Sequence, residues 1–519
     1  MQIQKIPFGA THSFSPFFLD YIQQKESLKP FYNRFPTPEN FSNQIADKTS
    51  FPAHNREVLT ASLHEQYKHI TLPEPVKANL EKLNLPKTFT ITTGHQLNIF
   101  TGPLYFIYKI VTVINTCKQL KQAYPQYNFV PVYWMASEDH DYDEIKSFRL
   151  YGKKYTWGTN QQGAVGRFHT NDFKNLLTEI PGDINLFKEA YTKHKKLSEA
   201  VRYYITALFG YEGLVVVDGD DQSLKKIFTP VIEQDIFEQR HKPLVDAADK
   251  ALGELGYKTQ IHCRDINFFY LEDGLRNRIE KNGEQFTVVD TAISFTETDL
   301  RKAIQQSPEK FSPNVVLRPL YQEMILPNLA YIGGPAEVVY WLQLKGIFNH
   351  HKIPFPILMP RNFAMIMDAP VVRKFEKTGL TTEDLFLPKD NLFNQIIHKI
   401  STERLTLNGE KKVIEDYFTL IRENISKIDN TLGPLVGAEQ QRVAKRLERI
   451  EQKILRAEKR KHSDLLRQVE AVKDTLFPNG GLQERTDNFL NFYQQDPQFI
   501  NKLMQQVDPF DFRFNVLVY

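Results

Sequence analysis

TFTITTGHQLNIFTGPLYFIYKI, residues 88–110, is the stretch whose reading decides the fold. Thr88 to Thr92 alternate β-branched and aromatic residues, as a strand does. Gly94 follows, where backbone geometry closed to other residues becomes open. Gly102-Pro103 then predicts a helix start, with proline at the first helical position, where its missing N–H costs nothing. Leu104, Ile107, Ile110, Val111, Ile114 and Cys117 recur at helical spacing. Free N–H groups at such a start favour an anion, so the loop is a candidate for a phosphate or a carboxylate.

Working outward, a second strand is expected at 129–135, FVPVYWM, running straight into the acid-rich SEDHDYDE at 137–144. Strand, helix, strand at this spacing is a βαβ unit with a right-handed crossover. Ligands in open α/β sheets sit outside the carboxyl ends of the strands, where both the TTGHQ and SEDHD loops fall. GLVVVDGDD, 213–221, reads as a third buried strand ending in acids. NLAYIGGPAEVVYWLQLKGIF, 328–348, repeats the opening grammar, and PFPILMPRNFAMIMD, 354–368, supplies a further strand followed by Arg361-Asn362. The fold class is therefore α/β.

Around this core the chain divides into an N-terminal region at 1–85 packed on the core, the core at 86–375, a helical hairpin at 376–480 and a tail at 481–519 that returns to the core. Insertions are expected near 148–209 and 255–310; FRLYGKKYTWG and FFYLEDGLRNRIE each read as a hairpin. Between 403 and 476 aromatics thin out and apolar residues step by three or four: Ile414, Tyr417, Ile421, Ile425, Ile428, Leu432 and Leu435, then Val443, Leu447, Ile450, Ile454 and Ala457. Gly433-Pro434 and Gly437 are read as the break between two antiparallel helices with coiled-coil packing. The cations from Arg442 to Lys461 are interleaved with Glu448, Glu451 and Glu458, the pattern of a solvated helical face.

Composition narrows the function. The 519 residues carry 65 basic and 62 acidic side chains, a formal charge of +3, too near neutral for bulk nucleic-acid binding. Only Cys117 and Cys263 occur, in no metal-ligand spacing, which suits a reducing cytoplasm and leaves no metal expected. No secretory signal is evident, and no apolar run has the length of a membrane span.

Three groups of residues are candidates for chemistry. In the first loop, Gly94, His95, Gln96, Thr101 and Gly102 are expected to bind substrate, although neither a dinucleotide fingerprint nor a P-loop is present. In the acidic loop, Asp139, His140 and Asp141 are the expected catalytic residues, with Glu138 beside them. Crowded carboxylates raise one another's pKa and support a neighbouring imidazolium, which suits an ammonium group, a metal ion or acid–base work. A solvated acidic loop capping the next helix would carry the same residues. In the third group, Arg318 and Glu323 precede the Gly333-Gly334 loop, with Glu337 on the next turn and Arg361 after a further strand. Arginine can grip a carboxylate or phosphate with a bidentate fork, or form an ordinary salt bridge.

TGHQLNIFTGPLYFIYK, WMASEDHDYDE, SPNVVLRPLYQE, AYIGGPAEVVYW and LFPNGGLQER together resemble the bacillithiol biosynthesis cysteine-adding enzyme family, BshC. The blocks come in the family's order and span residues 93 to 485. The resemblance implies a Rossmann-like parallel-sheet core with inserted connecting segments and an α-helical coiled-coil domain that forms a homodimer. It also implies addition of L-cysteine to the amine of malyl-glucosamine, the last step of bacillithiol synthesis, with those small molecules as partners and neither nucleic acid nor membrane. The family pattern has glutamine where this chain has His95, so His95 is not expected to be indispensable. Joining a carboxyl group to an amine is uphill in water, so ATP or another nucleotide is the expected activator. No KMSKS-like loop accompanies the glycine loops. Another synthetase-like enzyme or a nucleotidyltransferase, and a non-catalytic coiled-coil scaffold, remain the alternatives.

Overall fold

Thr88–His95 (β1) is the central strand of a five-stranded sheet in the computed structural model, which describes residues 2–519. Its partners are Asn128–Met135 (β2), Val215–Asp218 (β3), Asn328–Gly333 (β4) and Ile357–Pro360 (β5). All pairs are parallel and the order is β5-β4-β1-β2-β3. The chain builds outward from β1 in one direction, then returns to the other side of it. The topological switch point thus lies between β1 and β4, the place where such sheets open a crevice.

Four threonines of β1 are fully buried, an unusual load for a central strand. Three of them are satisfied by β4: the hydroxyls of Thr90 and Thr92 donate to Asn328 Oδ1 at 3.1 and 2.9 Å, and Thr93 donates to the Ile332 carbonyl at 2.8 Å. These bonds tie β1 to β4 beneath the crevice. Tyr105–Ala123 (α1) packs on β1 and β2, buried on nearly every face.

The helix does not begin at Gly102-Pro103. Phe100, Thr101 and Gly102 are all left-handed, with φ of 50°, 69° and 62°. The Asn488 amide donates to the carbonyls of Phe100 and Gly102 at 2.7 and 2.6 Å, and the Phe100 ring is buried against Phe148 and Phe187. A Cβ at Gly102 would stand 2.5 Å from Asn98 Cβ, so glycine is required there. The turn displaces the helix start to Tyr105.

The stretch 354–368 is two strands rather than one. Arg361-Asn362 separates β5 from Phe363–Met367, which joins a second sheet. There Arg513–Val518 lies between Phe363–Met367, parallel, and Gln2–Pro7, antiparallel. Both termini thus meet on the core. The segment after Leu255 carries a five-stranded antiparallel sheet, including the hairpin Phe268–Glu272 and Leu275–Asn282, and ends beside Arg318–Ile325 (α2). Pro335–Trp341 (α3) follows β4.

Beyond the core, Lys389–Ile400 (α4), Asn408–Ser426 (α5), Gly433–Lys461 (α6) and Ser463–Leu476 (α7) form the helical part. Lys411 pairs with Glu451 and Arg422 bonds Gln440, so α5 and α6 run antiparallel. Gly433-Pro434 marks the boundary between the two helices as the first residues of α6, whereas Gly437 lies inside it. Leu432 and Leu435 therefore belong to the turn and to α6. Ile414, Phe418, Ile421 and Ile425 are the half-buried seam of α5, whereas Val413, Tyr417 and Leu420 form an exposed stripe. Among the described residues no helix is long and apolar enough to cross a membrane.

Candidate active site

The carboxyl ends of β1, β2 and β4 surround a cavity of about 760 Å³. Gly94 and His95 come from β1 and Gln96 directly follows it, Glu138 and Asp139 come from the loop after β2, and Gly334 and Glu337 from the start of α3. Arg318 and Arg361 line it as well. The three loops separated by up to 240 residues in the chain thus converge at the switch point.

Gly94 provides room. A Cβ there would lie 3.1 Å from Tyr331 Oη and 3.6 Å from an Arg318 guanidinium nitrogen. Neither glycine loop is an open anion cradle. Gly94 is within the β1 ladder, and the first N–H of the α1 turn, that of Leu104, donates to the Asp487 carbonyl at 2.7 Å. The Gly334 N–H donates to Glu337 Oε2 at 2.8 Å, a cap supplied by the loop's own helix.

The two loops are latched by Lys109, a residue the sequence pattern did not single out. Its ammonium donates to the Gly94 carbonyl at 2.8 Å and pairs with Glu337 at 2.5 Å. Tyr331 also donates to Glu337, at 2.6 Å. Burial works against the Glu337 charge, but Lys109 and these hydrogen bonds hold its pKa below the ordinary carboxylate value. Burial depresses Lys109 in turn, despite Glu337. His95 stacks on Phe106 with ring centroids 4.9 Å apart. Burial, then Lys109 and Arg361, push its pKa well down, so the imidazole is neutral. Its Nε2 is buried and has no protein hydrogen-bond partner.

On the acidic wall, Gln96 donates to Asp139 at 2.8 Å and to Glu144 at 2.7 Å. Asp139 also accepts the backbone N–H groups of His140 and Asp141, at 2.7 and 3.2 Å. Glu138 pairs with the fully buried Lys225; burial raises its pKa, against that cation. Behind this wall the Asp218 carboxyl at the end of β3 accepts from Ser137, and burial pushes it up to about 6.

Several expected site residues are placed elsewhere. His140 and Asp141 lie outside the cavity lining because the Asp139 turn swings them toward solvent. Arg276 donates to His140 Nδ1 at 2.7 Å. Burial and Arg276 lower the His140 pKa, outweighing Asp139 and Asp141, which works against the expected imidazolium. Glu323 is buried at the opposite end of β4, accepting from Asn328 at 2.6 Å and pairing with Lys48 at 3.3 Å. Arg318 and Gln322 share a face of α2, and Glu323, one residue further, points away from it. Thr101 and Gly102 belong to the left-handed turn under Asn488, and Gly333 is behind Gly334, its carbonyl accepting from the Arg361 N–H. None of these three lines the cavity. Arg361 does, but its guanidinium is committed to Glu484 by bonds of 2.6 and 3.0 Å.

The cavity also receives Tyr105, Asn314, Tyr340, Arg276 and Arg485, which sequence reasoning missed as site residues. Arg276 arrives from the inserted sheet and lies 4.0 Å from the Phe269 ring centre. Arg485 closes the LFPNGGLQER block that carries part of the family resemblance, in which it was not singled out.

A parallel sheet with a ligand crevice at its switch point, an inserted antiparallel sheet closing one side and a coiled-coil appendage defines a Rossmann-like class of protein. Residues 1–362 match the family model described as Bacillithiol biosynthesis BshC, N-terminal Rossmann-like domain, and residues 364–519 match Bacillithiol biosynthesis BshC, C-terminal coiled-coil domain. The chain belongs to the BshC family of bacillithiol biosynthesis. A Flavobacterium johnsoniae protein named "Putative cysteine ligase BshC" is 42% identical over 99% of both chains. A Cytophaga hutchinsonii protein of the same name is 41% identical over 100% of this chain and 99% of its own, and one from Salinibacter ruber is 30% identical over 94% and 93%.

Proposed function

We propose that this chain is a ligase that joins the carboxyl group of L-cysteine to the amine of malyl-glucosamine, forming the amide that completes bacillithiol. The observation that carries this reading is the polarity of the switch-point cavity. Asp139 and Glu144 face it from one wall, sharing Gln96, and suit an ammonium group. Arg318 and Arg485 face it without a carboxylate partner among the described residues and suit carboxylates. Both substrates carry both kinds of charge. The family assignment and the relatives' names support the same reaction class.

Asp139 is assigned the proton of the attacking amine, because it is the acidic-loop carboxylate oriented by Gln96 and two backbone N–H groups toward the cavity. Tyr105 and the neutral His95 shape the floor beside it. Amide formation from a free carboxylate needs activation, which ATP or another nucleotide supplies. The Gly334 N–H is taken by Glu337 and Gly94 lies within the sheet ladder, so neither glycine offers its phosphates a free N–H, and no step is assigned through it. The reading also includes a cytoplasmic homodimer joined through the helical part.

The test is reconstitution with cysteine, malyl-glucosamine and ATP, read by mass spectrometry of the cysteinyl amide. Asp139→Asn is expected to lower turnover by about 10²–10⁴, whereas Asp141→Asn, outside the cavity, stays near wild type. Equal losses in both variants would return the catalytic role to the whole acidic loop. A wild-type enzyme that forms no cysteinyl amide would refute the reaction.

A further inference from the structure

The cations of the cavity are not equivalent. Lys109 is taken by Glu337 and Arg361 by Glu484. Arg276 bonds Ser312 Oγ at 3.1 Å, the Pro313 carbonyl at 3.3 Å and His140. Arg318 bonds Gln322 at 3.0 Å. Arg485 lines the cavity, is exposed, and has no side-chain hydrogen bond or ion pair among the described residues.

The residues on either side of it are nonetheless anchored by hydrogen bonds. Immediately before it, Gln483 bonds both the N–H and the carbonyl of Ile366, at 2.8 and 3.1 Å. Glu484 is fully buried, grips Arg361 with two bonds and accepts the Ala364 N–H at 3.1 Å. After it, the Asp487 carbonyl accepts from Leu104, and Asn488 bonds Phe100 and Gly102. A buried ion pair contributes little net stability compared with an apolar replacement, while its geometry is tightly specified. Here the specified geometry fixes the backbone from which an unpartnered guanidinium reaches the cavity. Anchoring the backbone in advance removes that part of the ordering cost of binding an anion, while the side chain's own rotamers are ordered on binding.

Resting on the reading above, we propose that Arg485 binds a carboxylate of the malyl group and so sets the preference for an acceptor bearing a dicarboxylate. The Gly334 N–H is already taken by Glu337 and the Leu104 N–H by the Asp487 carbonyl, so neither of these backbone donors is open to the carboxylate. A guanidinium meets a carboxylate through two parallel bonds, which distinguishes the malyl group from a neutral substituent on the same sugar.

The experiment compares full-length wild type, Arg485→Gln and Arg485→Lys. Calorimetry with L-malate as the probe reads binding without turnover. Steady-state kinetics then give KM for malyl-glucosamine, for methyl α-glucosaminide, which lacks the carboxylates, and for cysteine. Arg485→Gln is expected to weaken malate binding and raise KM for malyl-glucosamine about tenfold, the low end for a charge-assisted pair at an exposed position. Its KM for the carboxylate-free glycoside and for cysteine should match wild type, as should its melting temperature. Arg485→Lys should recover part of the loss, having the charge without the fork. The assignment fails if wild type does not bind malate, if Arg485→Gln binds it equally well, or if all three KM values rise together. A lowered melting temperature would make Arg485 structural and overturn it too. If malate binds through Arg485 but wild type makes no cysteinyl amide, the binding assignment stands and the proposed reaction falls.

Discussion

Replacing Lys109 with methionine tests whether the two glycine loops are one mechanical unit. Methionine keeps most of the aliphatic stem and its packing, so the change isolates the ammonium. Two interactions disappear: the charged contact with Glu337 and the bond to the Gly94 carbonyl. A hydrogen bond to a charged group is worth about 1.5–3 kcal/mol, and an orphaned buried carbonyl costs about 1–3 kcal/mol. Glu337 is a quarter exposed and keeps Tyr331 and the Gly334 N–H, which places the loss near the low end, about 3 kcal/mol in all. Glu337→Gln and the double variant complete a cycle, with a coupling of about 1–2 kcal/mol expected from urea unfolding of the core. The pH dependence has a definite sign. Glu337 has a depressed pKa in the folded chain, so its contribution is present above the unfolded value of 4.5 and is lost as pH falls through the folded value. The cost of Lys109→Met should therefore be greatest at neutral pH and shrink in acid, where wild type is left with a buried ammonium and no counter-charge. Additive single variants, or a cost independent of pH, would show that the latch couples nothing.

Asp218 gives a pH effect of the opposite sign. Its pKa is raised from 3.8 to about 6, chiefly by burial, with the side chain 13% exposed. The ionised form is thus a liability above pH 6, at most about 3 kcal/mol for a shift of roughly two units. Asp218→Asn should melt higher than wild type at pH 8, with the advantage fading between pH 6 and 4; an equal difference at both ends would refute the assignment. For the helical part, Tyr417, Leu420 and Leu435 are 63%, 52% and 60% exposed, a stripe that a second copy would cover. Light scattering should show a dimer that Leu420→Glu together with Leu435→Glu converts to monomer, while Ile454, packed within the chain's own hairpin base, is a poor probe.

The frame of the site was legible because it follows from local grammar. Strand, glycine, helix occurs at 88–110 and again at 328–341, and parallel topology forces both ends to one edge of the sheet. What was not legible depends on rotation within loops and on distant partners. Five acids between 138 and 144 look equivalent in sequence, yet one turn around Asp139 leaves His140 and Asp141 outside the lining. Arg361 looks as available as Arg318 until Glu484, over a hundred residues later, is placed against it. Glu323 was avoidable: five residues past Arg318 on a helix, it is more than a full turn on and faces another way.

Lys109 had a signal of its own. From Tyr105 to Ile114 the helix has no polar face, and a single cation inside such a run must be either a solvent-facing accident or a buried, partnered charge. A helix apolar on all sides has no solvent face, so only the second option was consistent. The same reasoning applies to the threonines of β1. Buried hydroxyls in a central strand are tolerable only if a neighbouring strand supplies partners, which Asn328 and the Ile332 carbonyl do for three of the four and Asn128 does for Thr88. Buried polar groups thus announce a constraint before their partners are known. In this chain those constraints, Lys109 above and the threonines below, join β1 to its neighbour across the switch point, so that the crevice is held open by the same bonds that stabilise the strands forming it.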